Sequence, residues 1–337
     1  MPLKAFICGV SGPELTDKER SFFREARPCG LILFARNCVE PGQLRRLVGD
    51  FRGAVGENGL MVLIDQEGGR VRRLKPPHWR ELPPARAFGE LYARDAGEAL
   101  EAAYLVARLT ALELTGLGIN VNCAPVLDIP APGAHDIIGD RAYGSDPQIV
   151  ADLGGAVARG YLDGGVLPVM KHIPGHGRAG VDSHKSLPVI DASRQELADL
   201  DFEPFAKLRE LPAAMTAHVL IPDIDTERPA SLSPAIISQV IRDQIGFDGL
   251  LMCDDLSMGA LEGPVEQRAK GAISAGVDVA LHCNGDIREM TAIVEVVPEL
   301  DAKAKQRLEA ALGQIGEPKE FDQDRANALL GKIMALV

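Results

Sequence analysis

The chain has 337 residues, 46% of them hydrophobic and 25% charged, the proportions of an ordinary globular protein with a large core. Its net charge is −12 and it has no basic block, which argues against a nucleic-acid-binding surface. No apolar stretch is long enough to span a bilayer. The six cysteines are scattered without a CxxC pair. We therefore expect buried thiols in a cytoplasmic protein, without a disulfide framework or a zinc site.

The N-terminal segment places Lys4 before a short apolar run, as a signal peptide would, but no A-x-A cleavage site follows. We interpret it as the first of eight strands. The other seven are apolar runs rich in Val, Ile, Leu and Ala, near residues 31, 61, 120, 167, 214, 250 and 278. Such continuous apolar runs are typical of parallel strands that are covered on both faces.

Helical patterns alternate with these strands. The spacing of apolar residues predicts helices over residues 41–55, 95–117, 149–163, 191–210, 233–245 and 264–275, and from 287 onward. A Pro-rich connection at 76–84 and a long loop at 130–146 interrupt the alternation. The pattern predicts an α/β fold, a single catalytic (β/α)8 TIM barrel over residues 1–337. The alternative, a doubly wound open sheet, lacks a GxGxxG sequence after the first strand.

Ionisable side chains follow four of the predicted strands, where barrel enzymes keep their chemistry. Carboxylates accept hydrogen bonds from hydroxyl groups and cations donate to oxygens, so the mixture suits a polyhydroxylated substrate. A carboxylate facing a separate proton donor is the apparatus of retaining glycoside hydrolysis. The groups are Asp65, Glu67, Arg70 and Arg73; Asp140 and Arg141; Lys171, His172, His176, Asp182 and His184; and Asp254 and Asp255.

The segment after the fifth strand carries the densest group, on a Gly-rich loop. Asp182 precedes His184 by two residues, so the carboxylate can orient the imidazole and tune its proton affinity. A histidine can both give and take a proton near neutral pH, whereas a carboxylic acid usually needs its pKa raised for that work. The spacing therefore indicates an acid/base pair. We expect the loop to move in with substrate.

Four motifs, in order, resemble those of glycoside hydrolase family 3. They are LIDQEGGRVRR, IGDRAYGSDP, VMKHIPGHGRAGVDSH and GLLMCDDLSMGA, and the resemblance covers residues 32–284. The pattern KH-x-PGHG-x(4)-DSH is highly specific. Within the family, the chain resembles the single-domain β-N-acetylhexosaminidases of the NagZ type. The resemblance implies a TIM barrel that removes terminal N-acetylglucosamine with retained β configuration through a covalent glycosyl-enzyme.

The resemblance also implies roles for single residues. Asp254 matches the nucleophile, and His184 the general acid/base, paired with Asp182. Five residues match sugar-binding positions: Asp65, Arg73, Arg141, Lys171 and His172. A His–Asp pair departs from the two carboxylates of most glycosidases.

The family's cytoplasmic members act on peptidoglycan fragments, cleaving N-acetylglucosamine from 1,6-anhydro-N-acetylmuramic acid with or without its peptide. The resemblance thus implies a small-molecule substrate and a role in cell-wall recycling. We expect no cofactor, no metal, no nucleic acid, no membrane and no obligatory protein partner.

Several residues have a second interpretation. Strand alternation should turn Asp255 away from the nucleophile position, towards loop hydrogen bonding. Glu67 has the chemistry of an acid but more readily fixes its turn or pairs with an arginine. We expect His176 to shape its loop and His218 to support the site from behind. His172 could ligate a metal, but it lacks an HxH or HExxH partner.

Alternative functions stay open at this point. Phosphate instead of water could open the glycosyl-enzyme, which would make the protein a phosphorylase. Three further alternatives are a β-glucosidase, a metal-dependent barrel hydrolase, and a sugar-binding protein whose barrel has lost its catalytic activity.

Overall fold

The computed structural model describes residues 2–57 and 59–337. Within these residues, eight parallel strands form one sheet in the order β7-β6-β5-β4-β3-β2-β1-β8. They are β1 Lys4–Cys8, β2 Pro28–Leu33, β3 Met61–Ile64, β4 Val121–Asn122, β5 Leu167–Ile173, β6 Ala213–Thr216, β7 Leu250–Met252 and β8 Ala280–His282.

The sheet closes on itself. Met252 of β7 forms a parallel bridge with Val279, next to β8, and the Cys253 amide donates to the Val279 carbonyl at 3.3 Å. Since β8 also pairs with β1, the eight strands form the predicted (β/α)8 TIM barrel.

Helices surround the barrel. Within the described ranges the α-helices are α1 Asp17–Ala26, α2 Pro41–Val55, α3 Ala85–Tyr92, α4 Ala96–Thr115, α5 Pro147–Asp163, α6 Arg194–Asp199, α7 Glu203–Lys207, α8 Val265–Ala275, α9 Ile287–Val296, α10 Ala302–Leu312 and α11 Gln323–Met334. Short 3-10 turns cover Ala35–Asn37, Gly139–Arg141 and Ala230–Leu232. No helix among residues 2–57 and 59–337 is long and apolar enough to cross a membrane.

Local sequence signals account for many helix boundaries. A capping box of Thr16 and Glu19 starts α1, and Pro41 stands in the first turn of α2 behind the Glu40 cap. Gly56, at φ 72°, ends α2 in the left-handed conformation that glycine adopts at little cost. The predicted helix over 41–55 therefore matches α2 at both ends.

Other boundaries were predicted wrongly. The helix expected over 191–210 is two short helices, α6 and α7, because Leu200 leaves the helical conformation and Pro204 has no amide to continue the ladder. The helix expected over 233–245 is a π-helix over Ile236–Gln244. The strand expected over 119–126 is reduced to β4 and a separate parallel bridge from Val126 to Lys171, on the far side of Pro125, which cannot donate to a sheet. The sequence patterns also missed α1 and α3.

Candidate active site

A cavity of about 310 Å³ opens where the strands end. Seven of the eight side chains predicted to form the site line it, and the eighth, Asp182, hydrogen-bonds to a lining residue. The seven are Asp65, Arg73, Arg141, Lys171, His172, His184 and Asp254. The parallel barrel thus brings together residues that lie as many as 189 positions apart in the chain, from Asp65 to Asp254.

Lys171, two residues before the end of β5, lies between two carboxylates. Its Nζ is 2.8 Å from Asp65 Oδ1 and 2.6 Å from Glu67 Oε1, and its side chain is only 3% exposed. Arg73 Nη2 donates to Asp65 Oδ2 at 2.9 Å, and Arg141 donates to both oxygens of Glu67, each at 2.9 Å. Glu67 is therefore held by cations, in agreement with the expectation that it pairs with an arginine, and it is unsuited to the role of a proton donor.

The charges of this cluster reinforce one another. Burial raises the pKa of the Asp65 carboxyl, but the nearby Lys171 and Arg73 outweigh that effect and hold it well below its usual range. Glu67 behaves likewise, because Arg141 and Lys171 lower a pKa that burial alone would raise. Burial lowers the pKa of Lys171, and the two carboxylates more than reverse this. Asp65, Glu67 and Lys171 are therefore charged at neutral pH.

Asp128 is a fully buried carboxylate that was not among the predicted site residues. Its Oδ2 is 2.6 Å from His172 Nδ1, and its Oδ1 accepts from the backbone amides of His172 at 3.2 Å and His176 at 2.7 Å. Burial raises the pKa of Asp128, but His172 holds it below its usual range. The carboxylate therefore fixes the His172 ring and orients Nε2 away from itself.

Asp254 follows β7 and lines the cavity. One of its oxygens accepts the Asp255 amide at 2.8 Å. Burial raises the pKa of the Asp254 carboxyl, but His172, His218 and that amide outweigh the effect and hold it below its usual range. Asp254 is thus an ionised carboxylate, the state that a nucleophile requires.

The Asp255 carboxylate forms hydrogen bonds within and next to its own loop. It accepts from the Ser257 amide at 3.0 Å, the Ser257 hydroxyl at 2.6 Å and the Cys283 amide at 3.0 Å. His218 Nε2 is 3.0 Å from the Asp255 carbonyl, and its Nδ1 is 2.8 Å from Ser231 Oγ. These contacts agree with the predicted loop-bonding role of Asp255 and the supporting role of His218.

His184 and Asp182 form a pair at the mouth of the cavity. His184 Nδ1 is 2.9 Å from Asp182 Oδ1, which also accepts the His184 amide at 2.9 Å. The His184 side chain is 63% exposed and that of Asp182 is 18% exposed. Because Asp182 engages Nδ1, Nε2 is the ring nitrogen left to exchange a proton with a ligand.

Arg70 and His176, two other residues named from the sequence, also line the cavity. Arg70 Nε is 3.0 Å from Asp140 Oδ1, and Arg70 also pairs with Asp136, so these charges organise the loop before Arg141. His176 shapes its own loop, since its Nε2 is 3.0 Å from Ser183 Oγ.

Throughout residues 2–57 and 59–337, no three His, Cys, Asp or Glu side chains are grouped so that they could hold a metal ion.

An ionised carboxylate, an exposed imidazole oriented by a second carboxylate and a cluster of donors and acceptors share one cavity at the end of a TIM barrel. That arrangement is typical of a glycosidase, which needs a nucleophile, a proton donor and a site that binds sugar hydroxyls.

The family model described as glycosyl hydrolase family 3 N terminal domain matches residues 8–316. A beta-hexosaminidase of Bordetella avium is 36% identical over 288 residues, 84% of this chain and 81% of that protein. A glycoside hydrolase family 3 beta-N-acetylglucosaminidase of Paenibacillus superposes with a TM-score of 0.87 and 32% identity, over 99% of this chain and 68% of that one. NagZ of Neisseria gonorrhoeae, in complex with N-trifluoroacetyl-D-glucosamine, superposes with a TM-score of 0.85 and 30% identity, over 100% and 97%.

The chain belongs to glycoside hydrolase family 3, and it is a glycoside hydrolase.

Proposed function

We propose that the chain is a retaining β-N-acetylglucosaminidase that removes terminal, non-reducing N-acetylglucosamine through a covalent glycosyl-enzyme. The observation that carries the proposal is that the ionised Asp254 and the His184–Asp182 pair meet at the same cavity as the Asp65–Lys171 cluster. Each part of a two-step displacement thus has a residue suited to it.

In the first step, the Asp254 carboxylate attacks the anomeric carbon while the bond to the leaving oxygen breaks. His184 gives its Nε2 proton to that oxygen, so that an alcohol departs instead of an alkoxide. Asp182, 2.9 Å from Nδ1, stabilises the protonated ring before transfer and keeps Nε2 towards the cavity. The product is a glycosyl ester of Asp254 with inverted configuration.

In the second step, His184, now neutral, takes a proton from water as the water oxygen attacks the anomeric carbon. The ester bond to Asp254 breaks and the carboxylate returns to its ionised state. Two inversions give net retention, and the histidine ends protonated, ready for the next turnover.

The charged cluster suits recognition of the sugar. Asp65 is ionised and can accept hydrogen bonds from sugar hydroxyls, while Arg73, Arg141, Lys171 and His172 offer donors to sugar oxygens. Arg73 is further held over the Phe34 ring, its guanidinium carbon 4.8 Å from the ring centre. Because the ion pairs fix these groups before the sugar arrives, little ordering remains to be done on binding.

We extend the proposal to the substrate named by the sequence resemblance, fragments of peptidoglycan in which N-acetylglucosamine is linked to 1,6-anhydro-N-acetylmuramic acid, with or without peptide. The protein would then act in the cytoplasm, as one catalytic domain, in recycling of the cell wall. The Neisseria gonorrhoeae relative, whose structure holds an N-acylated glucosamine, supports the part of this proposal that concerns the N-acetylglucosamine unit of the substrate.

The test is hydrolysis of 4-nitrophenyl N-acetyl-β-D-glucosaminide and of the anhydro disaccharide, with the product anomer followed by NMR and with phosphate present or absent. We expect the β-anomer to appear first, at a rate independent of phosphate, and no comparable activity on the β-glucoside. First appearance of the α-anomer would contradict retention. Phosphate-dependent formation of a sugar 1-phosphate would identify a phosphorylase instead.

A further inference from the structure

The acid/base loop, residues 182–185, rests on the loop that carries the nucleophile. The Ala260 amide donates to the Ser183 carbonyl at 3.0 Å, and the Gly259 amide is 3.2 Å from the His184 carbonyl. Both amides belong to the loop after β7, five and six residues beyond Asp254. The backbone on either side of the proposed proton donor is therefore attached to the nucleophile's own loop.

Glycine is needed at the point of contact. A Cβ added to Gly259 would lie 2.8 Å from the His184 carbonyl oxygen and 2.9 Å from the Lys185 carbonyl oxygen. Ordinary contacts of this kind lie at 3.4–4 Å, and the atoms met here are backbone atoms, so no side chain can move aside. One of the two loops would have to shift by roughly 0.6 Å or more to admit a methyl group.

The loop after β7 is the less free of the two to shift. Arg268 of α8 donates to the carbonyls of Leu256 at 2.7 Å and Met258 at 3.2 Å, and the Asp255 carboxylate binds Ser257 and the Cys283 amide. The acid/base loop has fewer such anchors, and the side chains of His184 and Lys185 are 63% and 82% exposed. An added methyl group at residue 259 would therefore displace His184.

A side-chain tether supports the same loop from beneath. Ser183 is buried, and its Oγ is 3.0 Å from Nε2 of His176, which is itself buried and bound through its amide to Asp128. Ser183 thus has contacts on two sides: its hydroxyl points to His176 and its carbonyl to Ala260. The two contacts hold the backbone between Asp182 and His184.

We propose that Gly259 and Ser183 are positioning residues for the acid/base pair: they dock residues 182–185 on the nucleophile's loop and so set the place of His184 relative to Asp254. The proposal rests on the proposed function, in which His184 transfers the proton. Neither residue exchanges a proton with substrate; each acts through the position of the imidazole. A displacement of about 1 Å at a reacting group can cost roughly 100-fold in rate.

The variants to compare are Gly259→Ala, Ser183→Ala and His184→Ala, each measured with an activated and a poor leaving group. Gly180→Ala is the matched control, because it adds the same methyl group near the loop with no heavy atom within 4 Å. We expect kcat/KM for the methyl N-acetyl-β-D-glucosaminide to fall roughly 10- to 100-fold in Gly259→Ala. For the 4-nitrophenyl substrate, whose leaving group departs without a proton, kcat/KM should fall less than about 3-fold.

Azide gives a second readout, because it opens the glycosyl-enzyme without a general base. It should raise turnover of the nitrophenyl substrate and form a glycosyl azide with Gly259→Ala as with His184→Ala, and with neither wild type nor Gly180→Ala. Ser183→Ala adds no volume, and we expect a selective loss of roughly 3- to 10-fold from it. This variant carries the test if thermal unfolding shows that Gly259→Ala is not folded.

The outcomes separate the two proposals. If His184→Ala shows the selective loss while folded Gly259→Ala and Ser183→Ala keep the wild-type ratio of the two substrates, the docking proposal is overturned and the proposed function stands. If His184→Ala loses both substrates equally, the acid role itself fails, and the docking proposal fails with it. Selective loss in all three variants supports both.

Discussion

Replacement of Lys171 by methionine should destabilise the protein more than loss of a typical lysine would. The Lys171→Met change keeps a long apolar stem but removes the ammonium that lies 2.8 Å from Asp65 and 2.6 Å from Glu67 in a site only 3% exposed. A charge-assisted hydrogen bond to Asp65, of a kind that contributes about 1.5–3 kcal/mol, and an ion pair with Glu67 are lost, and two buried carboxylates remain near each other. Removal of one partner from a buried ion pair typically costs about 3–5 kcal/mol, which is the fall in unfolding free energy that we expect at pH 7.

The loss should depend on pH in a definite direction. The folded-state pKa values of Asp65 and Glu67 are lowered, and Lys171 contributes to both shifts. A carboxylate with a lowered folded-state pKa stabilises the protein fully above its unfolded pKa of about 4, and this contribution is lost as the pH falls through the folded-state pKa. In the variant the pKa values of Asp65 and Glu67 are lowered less, so these carboxylates contribute less stability that acid can remove. The difference in stability between wild type and variant should therefore be largest at pH 7 and narrow towards about pH 3.

Urea unfolding followed by circular dichroism at several pH values measures both effects. Lys305→Met is the matched control, because Lys305 pairs with Glu309 at 3.8 Å on an exposed helix face and should contribute less than about 0.5 kcal/mol. A loss below about 1 kcal/mol for Lys171→Met, or a difference that widens in acid, would refute this account of the cluster.

Two further variants test opposite ends of the barrel. Asp128→Asn leaves His172 Nδ1 facing an amide instead of a carboxylate, so kcat/KM should fall about 100-fold as the ring loses its orientation, with 4-nitrophenyl N-acetyl-β-D-glucosaminide kinetics as the measurement. Asp278→Ala leaves Arg242 and Arg307, each now 2.9 Å from an Asp278 oxygen, without their shared carboxylate. It should cost about 3 kcal/mol in urea unfolding while kcat of the folded enzyme stays unchanged, and a fall in kcat would contradict the separation of stability from catalysis.

The fold could be predicted from the sequence because each strand of a parallel barrel is a continuous run of apolar residues. Even β7, three residues long, stands out as such a run before Asp254. The elements that were missed or misjudged lack that signal. The segment 191–210 has the composition of one helix, and only the backbone at Leu200 and the position of Pro204 divide it.

The residues of the candidate site could be predicted from the sequence where they form local motifs, and could not be predicted where they do not. Asp182 and His184 are two positions apart, so their contact could be predicted from spacing. Asp128 contacts His172 across 44 positions, and nothing local marks which carboxylate at a strand end will reach that ring. The contact of Gly259 with the His184 carbonyl likewise depends on how two loops meet in space, and hydrophobic periodicity carries no information about it.

The most direct test of the central claim, that Asp254 is the nucleophile, is to trap the glycosyl-enzyme. His184→Ala should form the intermediate rapidly from an activated aryl N-acetyl-β-D-glucosaminide and hydrolyse it slowly, since no general base remains. Intact-protein mass spectrometry should then show the added mass of one N-acetylglucosaminyl residue, and proteolytic mapping should locate it on Asp254. A label on Asp255 or elsewhere, or no label despite rapid release of the aryl group, would contradict the account.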